Sequence, residues 1–91
     1  MEEQAAILES IIEQYASTLG EETAEALAEQ SEEILEAFTS WCDDWSIEGL
    51  RTHLGSEIAR HICDIDGIYE LDDERVAAVL DIIDDFHQQI D

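Results

Sequence analysis

Carboxylates are the chemistry-bearing groups that this chain sets out in a repeating pattern. Glu25, Glu29, Glu32 and Glu36 follow one another at spacings of four, three and four, with Glu33 beside them. On a helix those spacings put the side chains on one face. Eleven residue steps rise ~16 Å, so the row would carry about one negative charge per 3–4 Å of axis. A strand of DNA presents one phosphate per ~3.4 Å of axis. Such a row can accept charge-assisted hydrogen bonds from Lys and Arg side chains that are arranged to meet phosphates. Asp43 and Asp44, at the end of the same element, and the cluster Asp81, Asp84 and Asp85 complete the candidate partner-binding set.

The surroundings of the row sharpen its meaning. Residues 1–50 carry fourteen carboxylates and no Lys or Arg, and the formal charge of the chain is −22. Like charges at i,i+4 destabilise a helix by ~0.2–0.5 kcal/mol per pair, whereas interspersed cations would reverse the sign. Self-repulsion at this net charge also works against the compact state. The charge therefore points to a partner or an environment, since the fold does not need it. Three cations, Arg51, Arg60 and Arg75, are so few that each is expected to bridge carboxylates within the fold.

Other constellations offer less. Asp64-Ile65-Asp66-Gly67 resembles part of an EF-hand loop, with Asp73 at the last ligand position, but Ile62 stands where the first ligand should be. Turn formation and helix capping account for the segment. His53, Glu57 and His61 recur at i, i+4 and i+8 and could share a face. They come without a Cys-x-x-Cys or His-Glu-x-x-His motif, and hydrogen bonding beside the core accounts for them. No nucleophile elbow occurs. Trp45-Ser46-Ile47-Glu48 lacks the Asp-Ser-Leu of an acyl carrier protein. A non-enzymatic protein without metal or cofactor is expected.

Helices must position these groups. Proline is absent and only four Gly occur, a composition that favours long helices. Apolar periodicity predicts a helix over 2–19, stopped by Gly20, and a second over 22–45 with Ser31 at an inward position that permits close helix contact. Trp41 and Trp45 form an i,i+4 pair on its apolar stripe. Core packing is their default role, and a partly exposed anchor at a homodimer or partner interface is the alternative. Ser46 should cap a third helix that buries Ile47, Leu50, Leu54, Ile58, Ile62 and Ile65, in which Gly55 marks a kink, a break or a close crossing. After the Asp66-Gly67 turn, Asp72 should cap a fourth helix, with a Leu71–Val76 staple and with Val76, Val79, Leu80, Ile83, Phe86 and Ile90 facing inward. Short connections favour antiparallel neighbours, so the fold class expected is all-α: a small antiparallel bundle of about four helices.

The 91 residues are expected to form a single acidic domain with one core. Met1-Glu2-Glu3 lacks the basic start of a signal peptide, and no apolar run reaches the ~20 residues of a membrane span. Anionic membranes would repel the chain. Cys42 and Cys63, set among apolar neighbours, read as free thiols of a reducing cytoplasm, with a disulfide as the alternative.

Size, helical character and carboxylate excess together resemble the phage-type acidic DNA-mimic proteins, the antirestriction and anti-CRISPR inhibitors. The resemblance rests on composition across the chain and carries no diagnostic motif. It implies inhibition by occupation: carboxylates sit where a basic nucleic-acid-binding protein expects phosphates, and the chain itself binds no nucleic acid. Two rival expectations are an immunity or interaction protein that neutralises a basic effector, and a salt-adapted acidic protein.

Overall fold

Leu8, Ile11 and Ile12 are inaccessible to solvent and seat the first helix, α1 (Glu2–Gln14), on the core. The computed structural model describes residues 2–90, and all regular structure among them is helical. Helix α2 (Ala16–Leu19) follows, then α3 (Glu21–Glu29) and α4 (Ser31–Trp41). Next, α5 (Ile47–Gly49) runs through a π-helical turn (Leu50–Leu54) into α6 (Gly55–Asp66), and α7 (Asp73–Ile90) closes the chain. Helix α1 packs against α3, α4 and α7, and α6 against α3, α4 and α7. The all-α bundle expected from the sequence is the fold observed.

The two long N-terminal helices expected from periodicity are each divided. Tyr15 (φ −104°, ψ 16°) separates α1 from α2. Gln30 (φ −93°, ψ 7°) separates α3 from α4, although neither Gly nor Pro marks that position. An unbroken helix over 22–45 would be ~36 Å long. The molecule measures 28 × 22 × 20 Å. Bending at Gln30 lets both halves bury apolar faces on the same core: Ala24, Leu27 and Ala28 from α3, and Ile34, Leu35 and Phe38 from α4. His61 Nδ1 lies 2.6 Å from Gln30 Oε1, which requires the imidazole proton on Nδ1 and ties the bend to α6. Ser31 is buried as expected, its Oγ without a hydrogen-bond partner among the described residues.

Helix α4 ends four residues earlier than expected, where Cys42 turns extended (φ −150°, ψ 137°). The two tryptophans therefore do not form a helical pair. Trp45 folds back onto Phe38 in an edge-to-face contact at 5.2 Å and lies 6.3 Å from Phe86. Trp41 is left 81 % exposed.

Several local signals hold. Gly20 takes φ 97°, a value side-chain-bearing residues avoid, and its N–H bonds Ala16 O as the helix stops. Ser46 Oγ accepts the Gly49 N–H at 3.2 Å, and Asp72 Oδ1 accepts the Arg75 N–H at 3.1 Å, so both predicted caps form. Gly67 ends α6 at φ 66°. Gly55 is helical (φ −58°, ψ −42°), and the irregularity falls just before it in the π-turn, where its N–H reaches Leu50 O. On α7 the buried residues are Ala78, Val79, Ile82, Ile83 and Phe86, whereas Val76 and Leu80, expected inward, are 43 % and 40 % exposed. No helix among the described residues is long and apolar enough to cross a membrane.

Candidate partner-binding surface

Burial of one stripe on each helix decides where the charge goes. On α3 the core takes Thr23, Ala24, Leu27 and Ala28, which leaves Glu25 and Glu29 outside. On α4 it takes Ile34, Leu35 and Phe38, which leaves Glu32, Glu33 and Glu36 outside. The separation is general: all fourteen carboxylates of residues 1–50 are exposed. Among the described residues, none of them forms an ion pair with Arg or His. The five-Glu row is not one straight line, because the bend at Gln30 splits it into Glu25 and Glu29 on α3 and Glu32, Glu33 and Glu36 on α4.

Asp43 and Asp44 lie in the loop directly after Cys42, the C-cap of α4. Both work locally. Asp43 Oδ1 accepts from Trp45 Nε1 at 3.1 Å, and Asp44 Oδ1 accepts the Ser46 N–H at 3.0 Å. Hydrogen bonding from Ser46 holds the Asp44 carboxyl below its ordinary value, with the nearby His53 adding a smaller effect. The loop also explains Gly49, since a Cβ there would stand 2.5 Å from the Asp44 carbonyl oxygen. The simple account of these two residues is that they shape the entry into α5, and their outer oxygens remain exposed to a partner.

The α7 cluster divides. Asp81 is exposed. Asp84 is half-buried and accepts two hydrogen bonds from Arg51, through Nε at 3.0 Å and Nη2 at 2.8 Å. Asp85 is half-buried and accepts from Tyr15 Oη at 2.7 Å. Burial, then the hydrogen bond to Asp85, then the charges of Asp85, Asp81 and Asp84 push the Tyr15 phenol up to about 12. Asp84 and Asp85 thus depart from the open surface expected of them, because the bundle uses them to join α7 to the π-turn and to the α1–α2 junction.

Each of the three arginines stands beside a carboxylate, but Arg60 meets one only on its own helix turn and Arg75 alone spans two. Arg51 takes Asp84, Arg60 stands 3.7 Å from Glu57, and Arg75 pairs with Asp66 and lies 4.0 Å from Asp72. Asp66 also accepts from Thr23 Oγ1 at 2.7 Å, so it links α3, α6 and α7 and has no free role as a metal ligand. Glu57 and His61 meet at 4.0 Å while His53 is exposed in the π-turn. No group of three or more metal-ligating side chains converges among the described residues.

Two features extend the charge-based reading. The four carboxylates of α1, Glu2, Glu3, Glu9 and Glu13, are as exposed as those of α3 and α4 and enlarge the cation-free surface. Trp41 and Tyr69, the latter fully exposed in the loop after α6, line one groove of about 760 Å³ with Ala37, Glu57, Arg60 and Asp64. The adjacent apolar pair Ile68-Tyr69 between Gly67 and Glu70 was a signal available in the sequence, because large apolar residues in a short polar loop have no helical stripe to join. Comparison with protein-family models, with curated proteins and with solved structures finds no match to this chain.

Proposed function

We propose that this chain is a non-enzymatic, nucleic-acid-mimicking inhibitor. It would occupy the basic site of a DNA- or RNA-binding protein in the cytoplasm, with antirestriction or anti-CRISPR activity as the specific role. The observation that carries this reading is the state of the first fifty residues: fourteen carboxylates, all exposed, with no Arg or His partner among the described residues. Apart from Asp43 and Asp44, which accept from Trp45 and Ser46, these carboxylates have no side-chain hydrogen-bond partner among the described residues and keep their full acceptor capacity for a partner's Lys and Arg. Long-range attraction would make association fast and salt-sensitive.

The test is capture. The immobilised chain is challenged with purified restriction–modification and CRISPR effector complexes at ~50 mM and ~0.5 M NaCl, where the screening length falls severalfold. Retention at the lower salt, release at the higher and displacement by duplex DNA are expected. If no nucleic-acid-binding complex is retained at ~50 mM salt, the reading fails. Folding in ~0.15 M salt separates it from salt adaptation, which requires molar salt for the native state.

A further inference from the structure

We infer that the groove between the end of α4 and the loop after α6 is a socket for an arginine side chain of the basic partner; this rests on the proposed function and names the contact that would anchor it. Trp41 is 81 % exposed although Trp45 shows that the core accepts an indole, and Tyr69 is fully exposed. Neither ring adds to the core, yet both border the same groove. The remaining wall supplies carboxylates. Glu57 and Asp64 line it, and Glu33 stands two helical turns before Trp41 on the same edge of α4, at i, i+4 and i+8 with Ala37 between them.

A guanidinium uses both kinds of wall at once. It stacks flat on an aromatic face and donates a planar fork to a carboxylate. A lysine ammonium pairs with a carboxylate as a point charge, without the planar fork or the flat stacking, an apolar side chain leaves the carboxylates unused, and a phosphate is repelled by a chain of formal charge −22. Arg60 already places a guanidinium in the wall, 77 % exposed and 3.7 Å from Glu57. At that distance the pair is an ion pair without a hydrogen bond, and it makes Arg60 the arginine of the wall that opposes a second cation. Asp64, exposed and without a hydrogen-bond partner among the described residues, is the open acceptor.

The experiment follows the backbone amide and the two indole N–H resonances of the 15N-labelled chain during titration with a nine-residue peptide of alternating Arg and Gly, and with its Lys counterpart. Trp45, packed on Phe38 and Phe86 with its N–H on Asp43, reports binding at the loop after α4 rather than in the groove. The Arg peptide should shift Trp41 more than Trp45, and should bind about two- to five-fold tighter than the Lys peptide. Tyr69→Ala and Asp64→Asn should each weaken it by a similar factor, and Arg60→Gln should strengthen it. All three substituted side chains are exposed, so the fold is not at stake. Shifts confined to the Glu-bearing faces of α3 and α4, with Trp41 still, would overturn the socket and leave the mimic reading standing. Equal affinity for the two peptides, or weaker binding by Arg60→Gln, would also overturn it. No shift anywhere in the chain at ~20 mM salt would remove both readings.

Discussion

The two halves of this chain treat their carboxylates in opposite ways. In residues 1–50 every carboxylate is exposed and none meets an arginine or histidine among the described residues. In residues 51–90 four are half-buried, Glu57, Asp66, Asp84 and Asp85, and each of the four has a donor close by. Burial explains the second pattern, because a carboxylate taken from water is costly unless hydrogen bonds or an opposite charge offset the loss. The first half has no cation to offer, so it reaches the second through neutral donors: Tyr15 to Asp85 and Thr23 to Asp66. The difference teaches that the negative charge has two separable uses, a structural one in the second half and an outward one in the first.

Charge reversal gives the largest expected effect and attacks the comparison at its centre. The triple substitution Glu29→Lys, Glu32→Lys and Glu36→Lys should weaken capture of a basic partner by at least about a hundredfold, as three favourable contacts become repulsive. Thermal unfolding of the same variant should be unchanged or improved. Full retained capture would show that these faces of α3 and α4 are not the contact surface. Loss of folding would show that the first half uses its charge structurally after all.

Substitution in the second half should give the reverse result. Asp66→Ala removes the acceptor shared by Thr23 and Arg75 and leaves the half-buried guanidinium without its closest partner. A loss of about 2–4 kcal/mol in urea unfolding is expected, with partner capture intact at a temperature where the variant stays folded. A change below about 0.5 kcal/mol would mean that the link between α3, α6 and α7 is ornamental.

How much of this was legible in the sequence depends on whether a signal is local. Caps at Ser46 and Asp72 and the stops at Gly20 and Gly67 were readable because the capping atoms or the required φ lie within a few residues. The all-α class followed from apolar spacing. The bend at Gln30 was not readable, since it answers to the size of the core and to His61, thirty-one residues away. For the same reason periodicity placed Trp41 and Trp45 on one stripe, whereas the early end of α4 sent one indole inward and the other out. Of the candidate site, the exposed Glu residues were legible from phasing alone. The capture of Asp84 by Arg51 and of Asp85 by Tyr15 spans thirty-three and seventy residues and leaves no local trace.

Salt should separate the halves by a smaller amount. Raising NaCl from ~0.01 to ~0.1 M shortens the screening length from ~30 to ~10 Å and should stabilise the chain by relieving repulsion on the first half. Glu25→Gln with Glu29→Gln should raise stability by up to ~0.5 kcal/mol at the lower salt, because one i,i+4 like-charge pair is removed, and by less at the higher. Asp84→Asn should lower it at both, since its contact with Arg51 is short and direct. If the glutamine variant loses stability, the exposed Glu residues have structural partners and the division fails.

A pH series tests the hydroxyl bridge between the halves. An unfolded Tyr titrates near 10. In the fold, burial and Asp85 hold the Tyr15 phenol up to about 12. A folded-state value above the unfolded one means that the fold favours the neutral phenol, so its contribution is complete below pH ~10 and is lost as pH rises toward ~12. The chain contains no Lys, so ammonium groups do not obscure this range. Tyr15→Phe should cost about 1–2 kcal/mol at neutral pH, because half-buried Asp85 loses its donor. The variant should then lose less stability than the parent between pH ~9 and ~12, a difference that urea unfolding at a series of pH values measures directly. An identical decline in both proteins would show that Asp85 finds another donor or water, and that the first half holds the second by apolar packing alone.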